Sequence, residues 1–199
     1  RRTPLFVGDF GCLPPAATSA PTTLLGDAAY PDIEAARARA IAALWEMHIG
    51  AARSAGISGM AVWDRWSGGL PAGPPWEAVR RAYQPIAAFV REASTGFFAG
   101  TVVERTVTVV NDTASERSLQ LRWRLRPEAG DWELTGSEPL ALGPAAKERV
   151  RVFLATPPLQ AALTRTRFTA EVWDGGQPVF AVTQNWRLYG RAQLTGRLP

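Results

Sequence analysis

A chain of 199 residues with 46% hydrophobic and 20% charged residues can bury a core in one or two domains, and it is too apolar for a disordered polymer. Its formal net charge of +4 rests on arginine, because Lys147 is the single lysine, and the arginines are scattered rather than run together with aromatics. That pattern argues against a nucleic-acid partner, and no apolar run reaches the roughly 18 residues of a spanning helix, so no membrane partner is expected.

Cys12 is the only cysteine, so packing alone must hold the fold. With one histidine, His48, and no clustered carboxylates, metal ligands are too few, and no cofactor is expected. The start Arg1-Arg2-Thr3-Pro4 lacks a methionine and a signal-like apolar stretch. Processing or a place inside a longer chain would account for it, and localisation stays open.

The first regime, residues 1–84, reads as strand, loop, helix, strand, loop, helix. Pro4 to Gly11 is an apolar run suited to a strand buried on both faces. A Pro/Ala/Thr/Ser-rich loop is expected through Tyr30, longer than an ordinary connection. Asp32 is placed to cap a helix after Pro31. Ile33, Arg37, Ile41, Leu44, Trp45, His48, Ile49 and Ala52 then recur at helical spacing, and Gly56 sits where a left-handed terminator belongs. Ile57 to Trp63 reads as a second buried strand. Trp76, Val79, Arg80 and Tyr83 mark a short helix that Pro85 stops. Two strands around a helix form a βαβ unit with parallel strands, which need further strands from elsewhere to make a stable sheet.

The second regime, residues 85–199, reads as all β. Strands are expected at Ile86–Arg91 and Thr101–Val110, the latter closed by a turn at Asn111-Asp112-Thr113. Leu119, Leu121, Trp123 and Leu125 alternate with Gln120, Arg122, Arg124 and Arg126, the clearest two-residue period in the chain. A short strand is expected at Trp132–Gly136. Further strands follow around Val150, Val152 and Leu154, and around Phe168, Ala170 and Val172. Asp174-Gly175-Gly176 is a hairpin turn that needs positive φ, with Val179 to Leu188 returning beside it. About seven evenly spaced strands in a hundred residues point to a sandwich of immunoglobulin type, with Trp123 on the strand that often buries a tryptophan.

The order of these pieces resembles the rear part of glycoside hydrolase family 2 and its clan A relatives. Pro4 to Gly11 is similar to the seventh strand of that family's (β/α)8 barrel, which ends in the nucleophile. Gly59-Met60-Ala61-Val62-Trp63-Asp64 is similar to the eighth, whose tryptophan floors the sugar site. Trp76 to Pro85 and Val107 to Thr113 resemble the exit helix and the first sandwich strands. The resemblance implies that residues 1–84 are the end of a TIM-barrel-like catalytic domain and residues 85–199 an immunoglobulin-like sandwich. It implies Asp9 as the nucleophile, where the family has glutamate, and Trp63, Asp64 and Trp66 as substrate-binding groups. The acid/base carboxylate belongs to a fourth strand outside this sequence, so a glycosidase fragment inactive as this chain alone is expected, with a carbohydrate and the remainder of the barrel, or another chain, as partners.

Each residue also has a plainer reading. Asp9 can cap a loop or pair with an arginine, Trp63 can seal a strand end, and Asp64 can brace Arg65. Cys12 and His48 lack a thiol-protease motif, and His48 is expected to pack on its helix stripe. Arg122, Arg124 and Arg126 share a strand face that Arg149 and Arg151 would extend, with Glu128, Asp131 and Glu133 nearby. Such a face is ordinarily solvated or docks the parent barrel, though an acidic sugar or polyanion could use it. Two further functions stay open: a noncatalytic carbohydrate-binding module, and a structural interaction domain.

Overall fold

The computed structural model describes residues 4–10, 19–62 and 73–190, in two compact units that part between Gln84 and Pro85.

In the first unit, β1 (Phe6–Phe10) and β2 (Gly59–Val62) pair in parallel, with Phe6 opposite Gly59 and Phe10 opposite Val62. Between them lies α2 (Ile33–Ala55), whose ends match their sequence signals. The Asp32 carboxylate accepts from the Ala35 N–H at 3.0 Å, and Gly56 takes φ 82° while its N–H closes on Ala52 and Arg53. The long connection before it is not a plain loop: it folds as α1 (Ser19–Leu25) and a 3-10 turn over Gly26–Ala29. The helix face is built from Ala36, Ala40, Ile41, Trp45 and Ile49. His48 lies exposed beside that face rather than packed within it. Trp45 meets Trp76 of α3 (Gly73–Ala82) edge to face at 5.7 Å. The nearly buried Arg53 donates to the carbonyls of Ala82 and Gln84, which satisfies the end of α3. β1 is not buried on both faces, since Leu5 and Phe6 are 59% and 65% exposed. Two parallel strands among the described residues fall well short of a barrel.

The second unit is β throughout. A three-stranded sheet runs in the order β3 (Ile86–Val90), β5 (Val102–Asn111), β8 (Ala146–Ala155). A five-stranded sheet runs β4 (Gly96–Phe98), β10 (Gln177–Tyr189), β9 (Leu163–Asp174), β6 (Arg117–Pro127), β7 (Leu134–Leu142). All pairings are antiparallel except β4 with β10. The alternating apolar residues turn inward and meet: Val107, Val109 and Val152 from one sheet, Leu121, Leu125, Phe168, Val172 and Leu188 from the other. Phe89 and Phe180 touch across the layers, ring centres 6.2 Å apart.

Two turns close as their residues require. Gly175 and Gly176 take φ 56° and 81° between β9 and β10, the paired positive values of a tight hairpin. The buried Asn111 accepts from the Thr113 N–H and donates to the carbonyls of Ser115, Leu142 and Gly143, tying the end of β5 to the β7–β8 turn. The strand expected at Trp132–Gly136 begins later and runs longer, and the fully buried tryptophan is Trp186 rather than Trp123, which is half-buried.

Candidate functional site

Inward residues on β6 and β9 oblige their neighbours to face outward, and these gather on the open side of the five-stranded sheet. Reading across the sheet, Trp173 lies opposite Gln120, Glu171 opposite Arg122, and Thr169 opposite Arg124. The Arg122 guanidinium lies over the Trp173 indole, 4.1 Å from the ring centre. Both groups are held from the side. The Trp173 Nε1–H donates to the Glu171 carboxylate at 3.1 Å, and the Arg122 Nε–H donates to the Gln120 Oε1 at 2.7 Å. No described residue accepts from the terminal amino groups of Arg122.

Two hollows flank this stack and share Gln120, Arg122 and Trp173 in their walls. One, of about 350 Å³, is bounded by Pro139 and the Gly175–Gly176 turn. The other, of about 500 Å³, is bounded by Glu133, Thr135, Ser137 and Thr169. Arg124 turns toward Glu133 at 3.7 Å. The stack therefore stands as a planar ridge between two depressions of mixed apolar and polar lining. It can present a flat apolar-and-cationic surface, with free N–H donors and carboxylate acceptors beside it.

No family model matches the chain. No curated protein matches it by sequence either. Several solved structures are similar to part of it. A β-glucuronidase from glycoside hydrolase family 2 is 11% identical at a TM-score of 0.37, over 50% of this chain and 11% of its own. A putative β-galactosidase from Bacteroides fragilis is 12% identical at a TM-score of 0.37, over 51% and 15%. An alkylpurine DNA glycosylase from Pseudomonas fluorescens, solved bound to DNA with an abasic site analog, is 10% identical at a TM-score of 0.40, over 53% and 29%. The chain spans less than a third of each of these proteins, and likenesses of this size carry nothing about activity.

Of the residues singled out by sequence, Asp9 lies on β1, one position before Phe10, whose strand partner is Val62 at the end of β2. Trp63, Asp64, Trp66 and Cys12 lie outside the described residues. The expected extension of the arginine face by Arg149 and Arg151 is corrected by the sheet order, because both sit on β8 of the other sheet. There Arg151 meets Glu104 at 2.6 Å, a hydrogen bond that holds the carboxyl below its usual range and raises the guanidinium further. Among the described residues no group of three His, Cys, Asp or Glu side chains converges as metal ligands, and no helix is long and apolar enough to cross a membrane.

Sequence reasoning passed over Trp173. The signal was present: Phe168, Ala170 and Val172 face inward, so a tryptophan one position further must face out, beside the hairpin.

Proposed function

We propose that the two-sheet unit, read as an immunoglobulin-like sandwich, is a noncatalytic carbohydrate-binding module. The observation that carries this reading is the Arg122–Trp173 stack, braced by Gln120 and Glu171 between two open hollows. A pyranose ring offers a flat C–H face and a rim of hydroxyls. A planar, partly apolar ridge suits the face, and guanidinium, amide and carboxylate groups beside it suit the rim. Hydrogen bonds fixed before binding reduce the ordering cost of a hydroxylated ligand.

The test is binding of the chain to a panel of neutral and acidic polysaccharides, followed by depletion or calorimetry. Trp173→Ala is expected to weaken binding at least about tenfold, equivalent to about 1.4 kcal/mol, with far-UV circular dichroism unchanged. Unaltered affinity in that variant would remove the stack from recognition.

One observation favours a second reading, a remnant of a clan A glycosidase barrel. β1 and β2 run parallel as neighbours, so the strand bearing Asp9 and the strand leading into Trp63 end at the same edge. In a barrel, that edge is where chemistry is done. On this reading Asp9 would attack the anomeric carbon while an acid from an absent strand protonated the leaving oxygen. It requires aryl β-glycoside hydrolysis by the chain once the missing strands are supplied.

A further inference from the structure

Beyond the stack, the same sheet face carries an arrangement that the alternation on β6 only half reveals. Arg126 on β6 lies directly opposite Arg167 on β9, and Arg165 on β9 lies directly opposite Arg187 on β10. All four side chains are exposed. Directly opposed residues in an antiparallel pair have Cβ atoms about 5 Å apart, and like charges so placed repel. The arginines nearer the stack are set against carboxylates, Arg122 lying opposite Glu171 in strand register and Arg124 reaching Glu133. The outer four are not. Glu128, Asp131 and Glu133 line a hollow with Arg126 and Arg167, yet among the described residues no carboxylate comes within 4.0 Å of any of the four. Two adjacent like-charge pairs thus stand at one end of the face with no ion pair closed on them.

We propose that this face binds an acidic polysaccharide, with the Arg122–Trp173 stack holding one sugar ring and the Arg126/Arg167 and Arg165/Arg187 pairs gripping carboxylates of later units. The proposal rests on the carbohydrate-binding reading above and names its ligand class. Along β9, Trp173 and Arg165 are eight positions apart, about 26 Å at the rise of a strand, so the ligand is a polymer rather than a single sugar. The guanidinium fork matches a carboxylate with two parallel hydrogen bonds, which a lysine could not do. The row between the arginine pairs and the stack holds Arg124, Thr169 and the exposed Thr183, and the exposed Asn185 lies beside Arg167, so a hydroxyl and an amide stand ready for sugar hydroxyls. Single-stranded nucleic acid would call for a row of aromatic platforms, and the outward aromatics of β6, β9 and β10 are Trp173 and Tyr189, which stand at opposite ends of the face and form no row.

The experiment titrates the full chain with polygalacturonate, a neutral glucan and duplex DNA, in parallel with the double variant Arg126→Gln/Arg167→Gln. Polygalacturonate is expected to bind more tightly than the neutral glucan, to weaken as salt is raised, and to lose about tenfold or more in the double variant. Weak binding of the neutral glucan should not change. Equal affinity for the two polysaccharides, or an unaffected double variant, overturns the acidic-ligand inference and leaves the carbohydrate-binding reading standing. DNA bound as tightly as polygalacturonate, and lost in the same variant, also overturns it. Failure to bind any polysaccharide overturns both.

Discussion

Gly136→Ala is expected to destabilise the two-sheet unit by about 1–3 kcal/mol, the usual cost of forcing atoms into filled space. Gly136 on β7 lies directly opposite Trp123 on β6, whose other neighbour in the row is Ala170 on β9. Two small residues flank one large one, and the indole spreads over the glycine. A Cβ added at Gly136 would meet Trp123 Cζ2 at 2.4 Å and Cε2 at 2.5 Å. The indole is a rigid plane, so relief requires the whole ring to move rather than a flexible tip. Alanine would also stiffen the unfolded chain, a gain of about 0.4–1 kcal/mol, smaller than the overpacking cost, so the sign stays destabilising. In a domain of this size the melting temperature should fall by roughly 4–8 °C per kcal/mol. A double-mutant cycle with Trp123→Leu isolates the cause. The combined variant should be more stable than the sum of the two single losses predicts, by at least about 0.5 kcal/mol. Simple additivity would show that the ring and the glycine do not share space.

The same pair shows what alternation in a sequence does and does not convey. Leu119, Leu121 and Leu125 declare a buried face on β6, and they are 4%, 0% and 0% exposed. Trp123 shares their parity, yet its depth depends on Gly136, a residue on another strand with no apolar signal of its own. Local chemistry was legible wherever one short segment decides the outcome: the Asp32 cap, the left-handed Gly56, the Gly175–Gly176 turn. The helix at Ser19–Leu25 was not, because its Pro, Thr and Ser content favours loops while Pro21 is buried against the rest of its unit. The outer face of the five-stranded sheet was half legible. Arg122, Arg124 and Arg126 announce themselves on one strand. Their pairing with Arg167 and the stacking of Trp173 depend on strand order, which puts residues some 40 to 50 positions away beside them and sends Arg149 and Arg151 to the other sheet. β1 and β2 show the converse case, where parallel pairing brings two strand ends together without deciding the chemistry there.

Arg105→Ala is expected to cost about 3–5 kcal/mol, more than Gly136→Ala, because it empties a position at which a cation is built into the core. On β5 the inward residues run Val103, Arg105, Val107, Val109, and Arg105 is only 2% exposed. Its guanidinium lies 4.5 Å from the ring centres of both Phe97 and Trp186, which meet each other edge to face. It donates to the carbonyls of Glu104 and Ser94, while Nε finds no acceptor. Burial lowers its pKa from the usual arginine value and the nearby Glu92 opposes that shift, so the charge persists at any ordinary pH. Through Phe97 and Ser94 this one side chain ties the short strand β4, and the segment before it, to β5 and β10. Arg105→Met separates packing from charge. Methionine fills much of the volume and removes both the desolvated cation and its orphan Nε–H, but leaves the Ser94 carbonyl without its donor. Its loss should therefore be smaller than that of alanine, about 1–3 kcal/mol. Amide hydrogen exchange supplies the local readout: in both variants the Ala99 and Arg187 N–H groups, which bond to Tyr189 and Thr95 where β4 meets β10, should lose protection before the centre of β9 does. A melting temperature for Arg105→Ala within a few degrees of the parent would mean that β4 is held by its strand pairing alone, with the buried cation a tolerated passenger rather than the clasp.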